Sequence, residues 1–180
     1  IQALGLEHKM GMKGSATTAV TFGENNNCRG WLLGIDPREN DGKGEGMAQM
    51  FKMMNEARAG TGHLAQAITA NAYFNAAQYA KERIQGRPLT NPKGDRVAII
   101  NHEDVKRMLL NAKAHVEAMR GMIFQTYYYL DVRDNDPDEE ERTRASDRVE
   151  VLTPLVKAYC SDEAWPIIAD CIQVYGGYGY

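Results

Sequence analysis

Positive charge is in short supply in this chain: 21 lysines and arginines stand against 24 aspartates and glutamates, a formal net charge of −3. That balance argues against a surface built for nucleic acid or anionic membrane, which would carry a basic patch or stripe. Long apolar runs are missing too, and none approaches the roughly 20 residues a membrane-spanning helix requires. The opening residues, Ile1-Gln-Ala-Leu-Gly5, lack a basic segment followed by an apolar stretch, so no secretory signal is visible. Cysteine is scarce and odd in number: Cys28, Cys160 and Cys171 fall at spacings that match no zinc pattern. They read as reduced structural thiols, in keeping with a cytosolic or similar reducing compartment. His8, His63, His102 and His115 are scattered and form no ligand set, so no metal site is expected. No methionine opens the chain, and the expectation is a segment that begins partway into a larger protein.

What is present is ordinary for a globular chain: 43% hydrophobic and 25% charged residues in 180, enough for one good core or for a helical domain with a small appendage. Residues 1–34 read as β structure. Thr17-Thr-Ala-Val-Thr-Phe22 is rich in β-branched and aromatic residues, and Gly23-Glu-Asn-Asn-Asn27 is a turn signal. Trp31-Leu-Leu-Gly34 is a second short apolar piece. Residues 35–46, with Pro37 and three glycines, read as a linker. The run Gly42-Lys-Gly-Glu-Gly46 invites comparison with a phosphate loop, but it lacks the Gly-Lys-Ser/Thr ending and follows no convincing strand, so it is expected to lead into a helix.

From Met47 the period becomes helical and stays so to the end, giving a helical domain over 47–180. Met47, Met50, Phe51, Met54, Leu64, Ala65, Ile68, Ala72, Ala76 and Tyr79 recur at steps of three and four, predicting one long helix ending near Arg83, before Gly86 and Pro88. The methionines at its start are expected to be core packing. A second helix is predicted with Asn101 as N-cap and Asp104 in its first turn. Its apolar face runs through Val105, Met108, Leu109, Ala112, Val116, Met119, Ile123, Tyr127 and Leu130. After the acidic stretch 131–141, Asp136-Pro-Asp-Glu139 offers a cap, a proline at the first helical position and a glutamate two residues later. The third helical region carries Val149, Leu152, Leu155, Val156, Tyr159, Ile167, Ile168, Cys171 and Val174, with Pro154 and Pro166 expected to kink or break it. Helices of about 30 residues would be about 45 Å long. Three such faces joined by short loops ask to pack side by side, and a fourth helix is expected to close the bundle from outside this chain.

Four pieces in order carry a family likeness. They are Glu7-His-Lys-Met-Gly-Met-Lys-Gly-Ser15-Ala-Thr17, then Met53-Met-Asn55-Glu-Ala-Arg58, then Tyr79-Ala-Lys-Glu-Arg83-Ile-Gln85, and finally Gln173-Val-Tyr-Gly-Gly-Tyr-Gly-Tyr180. Together they resemble the FAD-dependent acyl-CoA dehydrogenase family over nearly the whole chain, apart from 35–46 and 131–141. Their wording is most similar to a bacterial branch that includes 3-methylmercaptopropionyl-CoA dehydrogenase. The resemblance implies a mainly α fold: three long helices of the four-helix up-down bundle of the family's C-terminal domain, after a short remnant of its middle β-domain.

The resemblance also assigns residues. Ser15 matches a β-domain serine that hydrogen-bonds the CoA part of the substrate; as a plain reading of the residues it is equally a turn serine after Gly14. Asn55 stands where many relatives carry a substrate-contacting aspartate, and Arg58, three residues on and so on the same helix face, matches an arginine beside the substrate. A surface ion pair is the bland reading of Arg58. Arg83 matches the arginine that reaches the FAD pyrophosphate of a neighbouring subunit, a task suited to the guanidinium fork. Relatives usually continue with a Phe-Gly pair, where this chain has Gln85-Gly86-Arg87. The alternative for Arg83 is a cation favoured by the helix dipole. Gln173, Gly176 and Gly177 match the segment that holds the ADP part of that FAD, where glycine lets backbone N–H groups come close. A C-terminal cap would explain one of these glycines equally well.

The implied reaction of the whole protein is α,β-dehydrogenation of an acyl-CoA thioester to the trans-2-enoyl-CoA, as in fatty acid metabolism. Electrons pass to FAD and then to an electron-transfer flavoprotein. In most relatives the glutamate base lies in a Tyr-Glu-Gly-Thr-like segment further along than Tyr180. In a minority branch it directly precedes the arginine equivalent to Arg58; here Ala57 stands there, and Glu56 is one residue further, turned about 100° away, so it is the poorer candidate. The chain alone is therefore expected to be inactive, and the family's subunit-spanning FAD site implies a homodimer or homotetramer. An acyl-CoA oxidase or flavin monooxygenase of the same fold, or a non-catalytic binding or assembly protein, would share these features.

Overall fold

The computed structural model describes all 180 residues, Ile1–Tyr180, and divides into two compact units, Ile1–Gln49 and Met50–Tyr180. In the first, β1 (Gln2–Leu6) and β2 (Thr18–Thr21) pair antiparallel with Gln2 opposite Thr21 and Leu6 opposite Thr18, and the register shifts between Ala3 and Gly5. The threonines and Val20 suit a pleated strand, yet no residue of this unit is buried. Trp31, Leu32 and Leu33 are likewise exposed and lie outside any strand or helix. After a 3₁₀ turn at Pro37–Glu39, begun by Asp36 accepting from the Arg38 N–H at 2.9 Å, the glycine-rich run leads into a helix. No strand feeds that run, as the sequence predicts.

Three long helices follow: α1 (Gly46–Glu82), α2 (Glu103–Asn135) and α3 (Glu139–Val174). Each contributes a seam of buried residues at alternating steps of three and four, the pattern that keeps one stripe facing its neighbours. In α1 the seam is Ala59, Gly62, Gln66, Thr69, Ala76 and Ala80. In α2 it runs through Leu109, Ala112, Val116, Met119, Ile123 and Thr126, and in α3 through Ala145, Val149, Val156, Cys160, Ile167 and Cys171. The topology is up-down-up. Ile84 bridges Ala98 where the chain turns from α1 to α2, and Arg148 of α3 donates to the Tyr129 hydroxyl at 2.9 Å beside the turn from α2 to α3. Gly62 of α1 lies on Val156 of α3, and Tyr79 stacks on Tyr175 at 4.5 Å, so these two helices run parallel. The buried threonines donate to carbonyls one turn back: Thr69 to Ala65, Thr126 to Met122 and Thr153 to Val149. No buried side-chain polar atom is left without a partner, so the core carries none of the cost of an unmet hydrogen bond.

The structure corrects several local expectations. Leu64 and Ile68 are half exposed, and the inward face of α1 is made of small residues instead. Met50 and Met53 at its start are exposed and do not pack the core. The N-cap of α2 is His102, not Asn101. A 3₁₀ turn at Ile99–Asn101 comes first, and the Asn101 amide is spent on the Ala98 carbonyl at 3.1 Å. Asp138, not Asp136, caps α3, accepting from the Glu140 N–H at 2.9 Å, while Asp136 closes α2. Finally, α3 is continuous through Pro154 and Pro166. Both prolines are exposed, as are Glu150 and Asp162, so the carbonyls four residues back that lose their donors lie on the watered side of the helix.

Candidate functional site

One end of the helical unit gathers residues that the sequence separates widely. Arg83 directly follows α1, and its carbonyl accepts from the Ile99 N–H at 2.9 Å. Gln85 and Gly86 continue a short ladder, with Gln85 N–H donating to Val97 O at 2.9 Å and Val97 N–H to Gly86 O at 3.1 Å. Gly86 is left-handed at φ +73°, and a Cβ there would meet the His102 ring at 3.2 Å, so glycine is required twice over. His102 Nε2 bonds the Gln85 carbonyl at 2.7 Å and fastens this turn to the start of α2.

The end of α3 supplies the facing wall. Tyr175 closes the helix, its N–H bonded back to Ile172 O at 3.0 Å, and Gly176–Gly179 forms a 3₁₀ turn. Gly176 needs its residue type for φ +58°. A Cβ on Gly177 would project into open space, so nothing within the chain itself demands glycine there. Gly179 is a packing glycine, since a Cβ would collide with the Ile172 carbonyl. The result is a cleft of about 290 Å³ bordered by Tyr79, Arg83, His102, Gln173, Tyr175 and Gly176. A second hollow of about 310 Å³ between Arg83 and Tyr178 includes Gly177. All four residues matched to cofactor binding thus line one region.

Their side chains are set up as donors. The Arg83 guanidinium lies 5.9 Å from the Tyr178 ring centre, a cation–π contact that orients it without neutralising it. Tyr180 donates its hydroxyl to Gln173 Oε1, which occupies the amide oxygen and leaves the NH₂ to bond outward. A cation fork, an amide donor and a left-handed glycine turn make a donor set that fits a diphosphate. Tyr178, Tyr180 and His102 escaped sequence reasoning. The two tyrosines alternate with the tail glycines, a visible signal; His102 had none.

Of the residues matched to substrate binding, Asn55 and Arg58 stand one turn apart on α1. Ser15 belongs to the first unit, exposed in a turn where its N–H donates to Met12 O at 3.0 Å and its carbonyl accepts from Lys9 Nζ at 2.8 Å. In the second unit Asn55 borders a polar cleft of about 370 Å³ with Lys52, Arg133, Asp134, Ser146 and Glu150. There Arg133 donates to Asp134 at 2.7 and 2.9 Å, which raises the arginine pKa and lowers that of the carboxyl; the Glu56 carboxylate adds a weaker pull on Arg133. Arg58 does not border this cleft; its guanidinium lies 5.4 Å from the Phe51 ring centre. Glu56 is exposed, and no general-base geometry is formed around it.

Comparison with known proteins shows the family. The profile of the acyl-CoA dehydrogenase C-terminal domain matches residues 44–180, and the chain belongs to that family of flavoprotein oxidoreductases. Over its full length it is 49% identical to a butyryl-CoA dehydrogenase of Syntrophomonas wolfei. Over 97% of its length it is 38% identical to the 3-methylmercaptopropionyl-CoA dehydrogenase of Ruegeria pomeroyi and 34% identical to a broad-specificity linear acyl-CoA dehydrogenase of Mycobacterium tuberculosis. The likeness is therefore not specific to the 3-methylmercaptopropionyl-CoA branch. The chain spans 28–29% of the length of these relatives. No helix of the structure is long and apolar enough to cross a membrane.

Proposed function

We propose that this chain is the C-terminal helical part of an FAD-dependent acyl-CoA dehydrogenase that converts an acyl-CoA to its trans-2-enoyl-CoA. The observation that carries the reading is the meeting of Arg83, Gln173, Gly176 and Gly177 at one end of the bundle, in a chain of this family. Residues 1–34 then belong to the middle β-domain, 35–46 to a linker and 47–180 to the bundle. FAD when bound supplies hydride acceptance. The chain's own part is to hold and orient the dinucleotide: Arg83 on the diphosphate, the Gln173 amide on the ADP side, and the Gly176-Gly177 backbone close beside it. Ser15, Asn55 and Arg58 are assigned to the acyl-CoA, with the base supplied outside these 180 residues and Glu56 as the weaker alternative. In relatives such a cofactor site is shared between subunits, so the reading includes a homodimer or homotetramer. It also includes a cytoplasmic setting and an electron-transfer flavoprotein as acceptor.

The substrate class follows the relatives. A butyryl-CoA dehydrogenase is 49% identical and a 3-methylmercaptopropionyl-CoA dehydrogenase 38%, so a short saturated acyl-CoA is favoured, with the sulfur-containing thioester second. The test is anaerobic titration of the yellow complete gene product with butyryl-, 3-methylmercaptopropionyl- and longer acyl-CoAs. Bleaching of the flavin band by butyryl-CoA first is the expected result. A flavin left oxidised by the whole panel overturns the dehydrogenase reading, and stoichiometric peroxide in air moves it to an oxidase.

A further inference from the structure

The turn between α1 and α2 holds more cationic side chains than the flavin reading uses. Residues 83–96 contain Arg83, Arg87, Lys93 and Arg96 against a single carboxylate, Asp95, in a chain whose net charge is −3. Three of the four, Arg83, Arg87 and Arg96, border one cleft of about 730 Å³ whose other walls are Gln85, Gly86 and apolar residues such as Pro88 and Leu89. No carboxylate lines it. Within the helical unit none of these three guanidiniums forms an ion pair, and none makes a side-chain hydrogen bond.

The backbone that carries them is fixed. The ladder from Arg83 to Ile99 sets the two arms of the turn, with Ile84 bridging Ala98. Beyond it, Asn91 N–H donates to Pro88 O at 3.0 Å and Gly94 N–H to Asn91 O at 3.1 Å. His102 anchors the Gln85 carbonyl from α2. Three like charges held on one small framework repel one another and are stabilised by an anion between them. Guanidinium forks match pairs of phosphate oxygens.

We propose that Arg87 and Arg96 act with Arg83 as a three-arginine site for the diphosphate of a dinucleotide, with Arg87 and Arg96 gripping the side of it that faces the turn. The proposal rests on the flavin reading and extends it to two residues that the reading leaves idle.

The test is isothermal titration of the complete gene product, stripped of flavin, with inorganic pyrophosphate and then with FAD. The proteins are the native form, Arg87→Gln with Arg96→Gln, and Lys93→Gln, a cation of the same turn that does not border the cleft. Circular dichroism melting checks that each is folded. The expected result is pyrophosphate binding that weakens as salt is raised, falls about tenfold or more in the double variant and is unchanged in Lys93→Gln. FAD affinity should fall in parallel in the double variant. Equal pyrophosphate binding by the double variant and the native protein, equal losses in the double variant and Lys93→Gln, or no binding by the native protein each overturn the proposal. Loss of FAD affinity on Arg83→Gln but not in the double variant would sink this inference while sparing the flavin reading. Pyrophosphate binding through Arg87 and Arg96 in a protein that takes up no FAD would sink the flavin reading and leave an anion site.

Discussion

The two units of this chain show what a hydrophobic pattern can and cannot do alone. Residues Ile1–Gln49 form a two-stranded sheet and connecting turns in which no side chain is buried. Residues Met50–Tyr180 have a continuous core that includes Met119, Val156, Cys160 and Ile167, each 1% exposed or less. A lone hairpin is marginal in water because it has no apolar face to bury. The helices, by contrast, are held by seams repeating every three to four residues over their length, and their stability comes from that packing more than from local propensity. Structural integrity therefore resides in the second unit, and the cofactor-matched residues are placed on it, where rigid elements fix them.

The largest blow to this contrast should come from the centre of the core. Met119→Ala in α2 should lower unfolding free energy by about 2–5 kcal/mol, whereas Val20→Ala in the hairpin should change it by less than about 0.5 kcal/mol. Denaturant unfolding of both variants checks this, and similar losses would show that the hairpin is no bystander. The next effect concerns the α1–α3 contact. A Cβ on Gly62 would stand 2.6 Å from Val156 Cγ1 and 3.0 Å from the Val156 carbonyl oxygen. Overpacking of that kind costs about 1–3 kcal/mol, more than the roughly 1 kcal/mol that alanine gains over glycine in a helix, so Gly62→Ala should destabilise. Gly60, with nothing near its Cβ position, should show the opposite sign, a gain of up to about 1 kcal/mol as alanine. Thermal melts of the pair give the answer directly.

A smaller effect belongs to the cap. Asp138→Ala removes the acceptor for the Glu140 N–H and should cost about 1 kcal/mol, while Asn101→Ala, no cap in this structure, should not disturb the start of α2. The subtlest test uses the thiols. Burial pushes Cys160 and Cys171 up to about 11, while Cys28 is exposed. At neutral pH a thiolate-directed reagent should label Cys28 alone. Because the folded thiol pKa is raised above the ordinary 9.0, the stabilisation from these neutral thiols is complete below pH 9.0 and is lost as pH rises toward about 11. Mass-spectrometric labelling across that range follows it.

The same contrast explains how much could be read in advance. The apolar face of α2 was plain because large residues mark it, and Met108, Leu109, Ala112, Val116, Met119 and Ile123 are all buried. The face of α1 is legible only in part: Ala76 is buried and Ala65, Ala72 and Tyr79 pack on the core, but the rest of the seam is Ala59, Gly62, Thr69 and Ala80, small residues that let helices approach and carry little hydrophobic signal, while Leu64 and Ile68 are half exposed. Prolines on a watered face do not break a helix whose other face is packed, so Pro154 and Pro166 misled as well. At the site, Arg83 and the Gln173 segment were legible through family likeness. Their meeting follows from that likeness alone, which assigns both to one FAD: 90 positions separate Arg83 from Gln173, and no local pattern tells that α1 and α3 end together. The roles of Tyr178 on Arg83, Tyr180 on Gln173 and His102 on Gln85 exist only once that end is assembled.

The central claim is that this end of the bundle holds the dinucleotide, and flavin retention tests it most directly. The complete gene product and its Arg83→Gln variant should be compared by FAD dissociation constant, with Arg58→Gln as the arginine outside the cleft. The account predicts a loss of about tenfold or more for Arg83→Gln and none for Arg58→Gln. Undiminished FAD affinity in Arg83→Gln would contradict it.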